Sequence, residues 1–165
     1  AEFLLFVHDD VYIDDLKLYD KLYKANRQYG YNIIGLAGGL NPRITNPALW
    51  HIMTERNDQR GEVSHPCGSN QTMTTSFGPT PSRVAIADGL FLAVHLPSVK
   101  NSNWKFNENY KFHHYDIASC IDANRNGLKI GVYPIHVVHT SPGLLSMQDK
   151  MWMESNNKFL LEYNQ

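Results

Sequence analysis

The chain has 165 residues, of which 42% are apolar and 19% are charged, and its formal net charge is −1. This size suits a single domain with a hydrophobic core, and the apolar fraction excludes wholesale disorder. The near-neutral charge argues against a nucleic-acid-binding protein, and no apolar run reaches the roughly 18 residues of a membrane helix. The two cysteines, Cys67 and Cys120, favour a reduced, cytoplasmic protein and allow at most one disulfide.

The first forty residues predict a strand, a helix and a second strand. Residues 3–8 form an apolar run that is typical of a buried strand. Asp14 or Asp15 is expected to cap the following helix, and Gly30 is expected to end it. The apolar face of that helix is predicted from the spacing of Leu16, Tyr19, Leu22 and Tyr23. A strand over residues 31–36 completes a strand–helix–strand unit, which is typical of a parallel sheet.

The middle of the chain differs in composition from its flanks. Residues 40–82 carry five of the eight prolines, so we expect a mostly irregular segment with a small hairpin near residues 62–64. The rest of the chain is predicted to form a strand over 83–96 that Asp88-Gly89 interrupts, a helix over 113–126, one or two strands over 128–139 and a closing helix from about Ser146 to Tyr163. This order of elements predicts an α/β fold.

The first candidate site is His8-Asp9-Asp10, which follows the opening strand. Ligands bind at the carboxyl ends of strands in open α/β sheets. Two adjacent carboxylates repel each other and need a cation, hydrogen bonds or a ligand, and Mg²⁺ or Mn²⁺ suits hard oxygen ligands. The alternative is that Asp9 or Asp10 only caps the next helix, and the pattern alone does not decide between the two.

Two further candidates are Asp88-Gly89 and Asp116. An Asp-Gly pair inside an apolar strand indicates either a close approach of a ligand to the backbone or an ordinary bulge. Asp116 lies at the start of a predicted helix, where the helix dipole keeps a carboxylate ionised. Such a carboxylate acts as a general base where it faces a cleft, and it is a plain helix cap where it does not.

Eight histidines are many for this length, and two pairs of them stand close in sequence. His113-His114 has the wrong spacing for two ligands on one helix face, so at most one of them points inward. His136 and His139 differ by an odd number of positions, so a regular strand would place them on opposite faces. One of these last two is therefore expected to be structural or exposed.

Taken in order, these pieces resemble the catalytic part of a GT-A glycosyltransferase, in the family-2-like group whose metal strand ends in His-Asp-Asp-Val. The resemblance covers most of the chain; no single segment is specific, and the order and spacing of all of them carry the match. The segments are 3–11, 33–38, 87–94, 104–110, 112–117, 127–132 and 138–141. The resemblance implies a single GT-A-like domain over residues 1–165, with a mixed, mostly parallel central sheet flanked by helices. It also implies that the N-terminal nucleotide-binding unit of such enzymes is missing.

The resemblance implies a metal site at the end of the first strand. His8-Asp9-Asp10 stands where the family keeps its DXD motif, and Asp10 would hold Mn²⁺ or Mg²⁺ against the donor diphosphate. Asp9 would face the ribose or help to bind the metal. His139 matches the C-terminal histidine that often completes the site. His8 replaces the family's first aspartate and is itself a candidate ligand.

The resemblance also implies a base and a sugar pocket. Asp116 matches the aspartate that accepts the proton of the acceptor hydroxyl, although Tyr115 stands where the family has a second acid. Asp88 and Gly89 match the segment that lines the sugar and acceptor pocket.

The activity implied is transfer of a sugar from a nucleotide-sugar donor, with a UDP-sugar expected, to the hydroxyl of a glycan or another acceptor. The reaction would invert the anomeric carbon and depend on Mn²⁺ or Mg²⁺. A homo-oligomer is expected to compensate for a reduced nucleotide site. Two alternatives stay open: a non-catalytic module of the same fold that binds a nucleotide sugar or a glycan, and a metallohydrolase of another fold that uses His8, Asp10 and His139.

Overall fold

The computed structural model describes residues 1–41, 49–141 and 150–163. In chain order its strands are β1 (Phe3–Val7), β2 (Val11–Ile13), β3 (Ile33–Gly35), β4 (Ala37–Gly39), β5 (Gln59–Pro66), β6 (Thr72–Gly78), β7 (Ser82–Val84), β8 (Ile86–Ala87), β9 (Phe91–His95), β10 (Ile130–Val132) and β11 (Val137–His139). The helices are α1 (Leu18–Tyr29), α2 (Trp50–Met53), α3 (Leu96–Lys100), α4 (Tyr115–Arg125) and α5 (Lys150–Tyr163), with a 3-10 helix over Arg56–Asp58. No helix in these described ranges is long and apolar enough to cross a membrane.

The strands form two sheets, which we call sheet A and sheet B. Sheet A has the order β1-β9-β3-β10-β7, and sheet B has the order β2-β11-β5-β4-β8 with β6 paired to β5. Among the described strands only the β3–β10 and β5–β11 pairs are parallel, and the other pairs are antiparallel. The mixed α/β class is confirmed, but the expected mostly parallel central sheet is wrong. One reason is that β9 is inserted between β1 and β3 and runs antiparallel to both. Another is that β6 forms an antiparallel hairpin with β5.

The chain passes from one sheet to the other through several short segments, which together we call the seam. These crossings are residues 8–10 between β1 and β2, Leu36 between β3 and β4, residues 79–81 between β6 and β7, Ala85 between β7 and β8, residues 88–90 between β8 and β9, and residues 133–136 between β10 and β11. Residues at a crossing are not paired within either sheet. Their side chains therefore need not point alternately to the two faces of a sheet, as they do in a strand. Two of these crossings contain site residues that the sequence predicts.

The opening strand–helix–strand unit is present, but its two strands do not pair with each other. β9 lies between β1 and β3 and runs antiparallel to both. β1 and β3 therefore run in the same direction without being neighbours. The predicted strand over 83–96 is divided into β7, β8 and β9, and all five residues of β9 are buried in this central position.

Residues 59–78 form a long hairpin, so the prediction of a mostly irregular segment with a small hairpin is wrong here. β5 and β6 pair antiparallel along their length, with a register shift between Gly61 and Glu62. Gly61 has φ +104°, and a Cβ there would meet the carbonyl oxygen of Leu36, so this bulge requires glycine. Most of β6 is exposed and polar, and its sequence therefore lacks the apolar pattern that would have indicated a strand.

Helix α1 ends where the sequence predicts, but its apolar face is narrower than predicted. Gly30 adopts φ +73° at its C-terminus. The predicted cap by Asp14 or Asp15 is wrong, because the N-cap residue is Lys17 and no side chain caps the helix; Asp15 Oδ1 instead accepts from Lys17 N in the turn before it. Leu16, Tyr19 and Tyr23 are exposed, and the two tyrosine rings stack on each other at the surface.

Helix α4 confirms the helix predicted over 113–126 and carries Asp116 in its first turn. His114 precedes this helix with φ +64° and is 2% exposed. Its Nδ1 lies 2.8 Å from Ser155 Oγ of α5, and its ring stacks on Phe159 of the same helix. His114 therefore joins the start of α4 to α5, and it is the inward-pointing member of the predicted histidine pair.

The hydrophobic core joins both sheets to α4 and α5. The largest fully buried side chains are Phe91, Phe159, Ile33, Ile34, Leu36, Ile86, Leu92, Ile117, Ile130, Val94, Val132 and Val137. The closing helix is confirmed over Lys150–Tyr163, and its predicted start at Ser146 lies outside the described residues. Cys67 is exposed, Cys120 is buried, and both are free thiols.

Burial lowers the pKa of His114 to about 4, from an ordinary value of 6.5. Between these two values the unfolded chain binds a proton on this side chain that the folded chain does not bind. The free energy of unfolding should therefore fall by about 2 kcal/mol as the pH is lowered from roughly 7 to 4.5. His114→Asn removes the titrating group, and asparagine tolerates the left-handed backbone. We expect the free energy of unfolding of the variant, measured in urea at each pH, to lack this decrease. An equal decrease in both proteins would contradict the assignment.

Candidate active site

Three side chains meet where β2 and β11 reach the seam. Asp10 Oδ1 lies 3.3 Å from His139 Nε2 and 4.0 Å from His8 Nδ1. One potential ligand atom from each of the three lies within 4.8 Å of the other two. Within the described ranges, this is the group of His, Cys, Asp or Glu side chains whose geometry suits a metal ion.

Backbone pairing fixes the position of this cluster. β2 and β11 pair antiparallel with Val11 opposite His139, which places Asp10 beside Thr140. Thr140 donates from its backbone N and from Oγ1 to the backbone oxygen of Asp10, each at 2.9 Å. His65 Nδ1 lies 3.1 Å from the carbonyl oxygen of His139. The chain itself therefore places Asp10 and His139 side by side.

The two closest atoms of the cluster are buried and have no hydrogen-bond partner among the described residues. Within the cluster, Asp10 Oδ1 and His139 Nε2 have their closest contact with each other, at 3.3 Å. Burial lowers the pKa of His139, so its ring is neutral near neutral pH and carries a lone pair. Buried polar atoms without a partner commonly mark the place of an ion or a water molecule. Two imidazoles and one carboxylate fit a divalent transition ion such as Mn²⁺ better than Mg²⁺, which prefers oxygen ligands.

The second part of the site is the Gly89 peptide, which the first two residues of α4 hold from both sides. Gly89 N donates to Asp116 Oδ2 at 2.9 Å. Tyr115 OH donates to the Gly89 carbonyl oxygen, also at 2.9 Å. A Cβ at position 89 would meet the Tyr115 hydroxyl and would lie 2.9 Å from the Cβ of Asp116. The interruption that the sequence predicts at Asp88-Gly89 thus permits the close approach of α4.

Asp88 and Asp116 bring two carboxylates to the start of α4. Asp88 Oδ2 accepts a hydrogen bond from Trp50 Nε1 at 2.8 Å, and its Oδ1 accepts one from Leu90 N at 3.0 Å. Burial, together with the charge of Asp88, raises the pKa of Asp116 well above its usual range. Burial also raises the pKa of Tyr115, so its hydroxyl stays protonated. A carboxyl group whose pKa moves toward neutral pH is suited to exchange a proton with a substrate.

One chain of hydrogen bonds joins the two parts of the site. His8 Nε2 lies 3.1 Å from Tyr115 OH, and Tyr115 is bonded in turn to Gly89. Gly89 completes the path to Asp116. The backbone also connects the two parts, because His8 N donates to Leu90 O at 3.0 Å.

The structure brings most of the predicted site residues together. Those that meet in this arrangement are His8, Asp10, Asp88, Gly89, Asp116 and His139. Asp9 is exposed in the turn between β1 and β2 and is not part of the metal-ligand cluster. His136 is exposed and lies against the backbone oxygen of Asp14, so His139 is the histidine of the pair that reaches the cluster.

The sequence did not predict that Trp50, His65 and Tyr115 contact the site residues. Trp50 reaches Asp88 from α2, and His65 reaches His139 from β5. Neither residue belongs to a recognisable motif. For Tyr115 the sequence does carry a sign of a role in the site, because it stands where the resemblance expects an acid.

The raised pKa of Asp116 should depend on the charge of Asp88. Asp88→Asn removes that charge and keeps an oxygen for the Leu90 N–H, so we expect the pKa of Asp116 to fall. Carbon-13 NMR of labelled aspartate carboxyl groups measures this titration, with Asp116→Asn used to assign the signal. Asp20→Asn, on the exposed face of α1, is the matched control and should leave the titration unchanged. An unshifted Asp116 in the Asp88→Asn protein would contradict the electrostatic account.

Comparison with known proteins identifies the family of the chain. The model of a family described as a glycosyltransferase-like family matches residues 1–165. No curated protein matches the sequence. Since the match spans the entire sequence, the chain belongs to this glycosyltransferase-like family, whose activity implies a sugar donor and an acceptor.

Proposed function

We propose that this chain is a metal-dependent glycosyltransferase of the GT-A fold. It transfers a sugar from a nucleotide-sugar donor, expected to be a UDP-sugar, to an acceptor hydroxyl with inversion. The observation that carries the proposal is the cluster of His8, Asp10 and His139, which hydrogen bonds connect to Asp116. A set of metal ligands and a carboxyl group with a raised pKa thus lie in one site. Family membership supports the proposal at the level of sugar transfer.

His8, Asp10 and His139 would hold the ion through two imidazole nitrogens and one carboxylate oxygen. Three protein ligands leave positions for the oxygens of a diphosphate. A divalent ion bound there would neutralise the charge that develops on the diphosphate as the glycosidic bond breaks. The unpartnered atoms of Asp10 and His139 support a cation at this place, and the nitrogen ligands favour Mn²⁺ over Mg²⁺.

Asp116 is the proposed general base. The N–H of Gly89 holds its Oδ2 and so fixes the orientation of the carboxylate. Its raised pKa makes it a stronger proton acceptor than an ordinary aspartate, while it can still ionise near neutral pH. When Asp116 takes the proton of the acceptor hydroxyl, the oxygen attacks the face of the sugar opposite the departing diphosphate. Direct displacement from that face inverts the anomeric carbon.

Asp9 is proposed to contact the ribose of the donor or to help bind the metal, and Asp88 and Gly89 are proposed to line the sugar and acceptor pocket. Asp9 is exposed beside the cluster, and its carboxylate can accept hydrogen bonds from the hydroxyls of a ribose. Asp88 is half-buried and held by Trp50, which gives it a fixed orientation at the seam. Gly89 follows Asp88 directly, and its bonds to Asp116 and Tyr115 fix the peptide beside the proposed base.

Asp10→Asn should abolish nucleotide binding that depends on metal. The variant replaces a charged carboxylate with a neutral amide, whereas the backbone bonds from Thr140 that position residue 10 are kept. Thermal-shift measurements with UDP, GDP, CMP and dTDP, each with and without Mn²⁺, provide the test. We expect a Mn²⁺-dependent shift with UDP for the wild type and for the control Asp20→Asn, but not for Asp10→Asn. If no nucleotide with Mn²⁺ stabilises the wild type, the proposed donor class is wrong.

Asp116→Asn should keep nucleotide binding and lose transfer. Asparagine retains an oxygen for the Gly89 N–H but cannot take up a proton, so we expect turnover to fall by ~10²–10⁴-fold. Release of UDP from a UDP-sugar, with an acceptor or with water, measures the loss. Asp122→Asn on the same helix is the matched control.

Two outcomes of this experiment would contradict parts of the proposal. Normal transfer by Asp116→Asn would show that the base is assigned wrongly. A wild type that binds donor with Mn²⁺ but never turns it over would favour the non-catalytic binding module instead.

A further inference from the structure

The hydroxyl of Tyr115 lies between His8 and Gly89. Its proton is donated to the Gly89 carbonyl oxygen at 2.9 Å, and a carbonyl oxygen can only accept. The Tyr115 oxygen therefore offers a lone pair to His8 Nε2, which lies 3.1 Å away. A hydrogen bond between these two atoms requires the proton on His8 Nε2. The surroundings thus select the Nε2–H form of the neutral His8 ring.

This form of the ring leaves its lone pair on Nδ1. Nδ1 is the nitrogen that lies 4.0 Å from Asp10 Oδ1, inside the cluster with His139. In a neutral imidazole one nitrogen is a donor and the other is an acceptor. With the proton on Nε2, His8 presents an acceptor to the cluster. The other form would direct an N–H toward the same place and would repel a cation.

We infer that Tyr115 is a positioning residue, which holds His8 in the Nε2–H form so that His8 binds the metal through Nδ1 as a third protein ligand. The inference rests on the metal site of the proposed function and gives Tyr115 a role that differs from that of the acid it replaces. Hydrogen-bond partners on the far nitrogen of a metal-bound histidine fix its form and orientation, and their loss weakens metal binding by about 10- to 100-fold.

Tyr115→Phe tests this role, because it removes only the hydroxyl group, which is the partner of His8 Nε2 and one of the two bonds to the Gly89 peptide. The ring of residue 115 can still pack near Phe106, whose centroid lies 6.4 Å away. The hydrogen bond from Gly89 N to Asp116 does not involve the hydroxyl, so the base keeps its partner. The variant therefore changes the partner of His8 Nε2 while it leaves the carboxylates of the site in place.

The first test measures the protonated nitrogen of His8 in the protein without metal, and its deciding result comes from the wild type. Nitrogen-15 NMR of labelled histidine distinguishes the two neutral forms of the ring, and His8→Gln assigns the His8 signals by their loss. We expect the proton of His8 on Nε2 in the wild type and a mixture of the two forms in Tyr115→Phe. A wild-type His8 that is protonated on Nδ1 would overturn the inference.

The second test measures Mn²⁺ affinity by titration with electron paramagnetic resonance, in the absence of any nucleotide. We expect Tyr115→Phe to bind Mn²⁺ about 10- to 100-fold more weakly than the wild type. Tyr29→Phe is the matched control, since Tyr29 lies on α1 and its ring stacks on Tyr31. Unchanged affinity in Tyr115→Phe would overturn this inference and leave the proposed function standing. Failure of the wild type to bind Mn²⁺ would overturn both.

Discussion

The Gly89 peptide is clamped between the first two residues of α4. Its N–H bonds to Asp116 and its carbonyl oxygen bonds to Tyr115. Both bonds are possible because residue 89 lacks a Cβ, which would occupy the space of the Tyr115 hydroxyl. This contact fixes the start of α4 against the crossing between β8 and β9. Through Tyr115 it also contacts the ring of His8, so the proposed base and one proposed metal ligand depend on the same peptide.

The seam between the two sheets explains how residues far apart in sequence meet in one site. His8 and Asp10 belong to the crossing that follows β1, and Gly89 belongs to the crossing that precedes β9. β1 and β9 are paired with Val7 opposite Phe91, so these two crossings begin next to each other. The neighbouring pair β2–β11 then brings a histidine from the end of the chain's last strand to the same place. The relative positions of these residues therefore follow from strand pairing.

The sequence predicted the features that depend on a few neighbouring residues. The stop of α1 at Gly30 and the helix that carries Asp116 are of this kind, because caps and turns act over single turns of chain. The insertion of β9 between β1 and β3 depends on long-range pairing, and the exposed, polar β6 has no local pattern. Tyr115 was missed as a site contact because its partners, His8 and Gly89, lie 107 and 26 positions away.

We propose that one site contains a metal ion bound by His8, Asp10 and His139 next to the Asp116 carboxylate. Anomalous diffraction at the manganese absorption edge, from crystals grown with Mn²⁺ and UDP, tests this proposal. We expect a single peak in contact with Asp10 Oδ1, His139 Nε2 and His8 Nδ1, with the diphosphate on the same ion. A peak elsewhere, or a cluster that binds no manganese although UDP is bound, would contradict it.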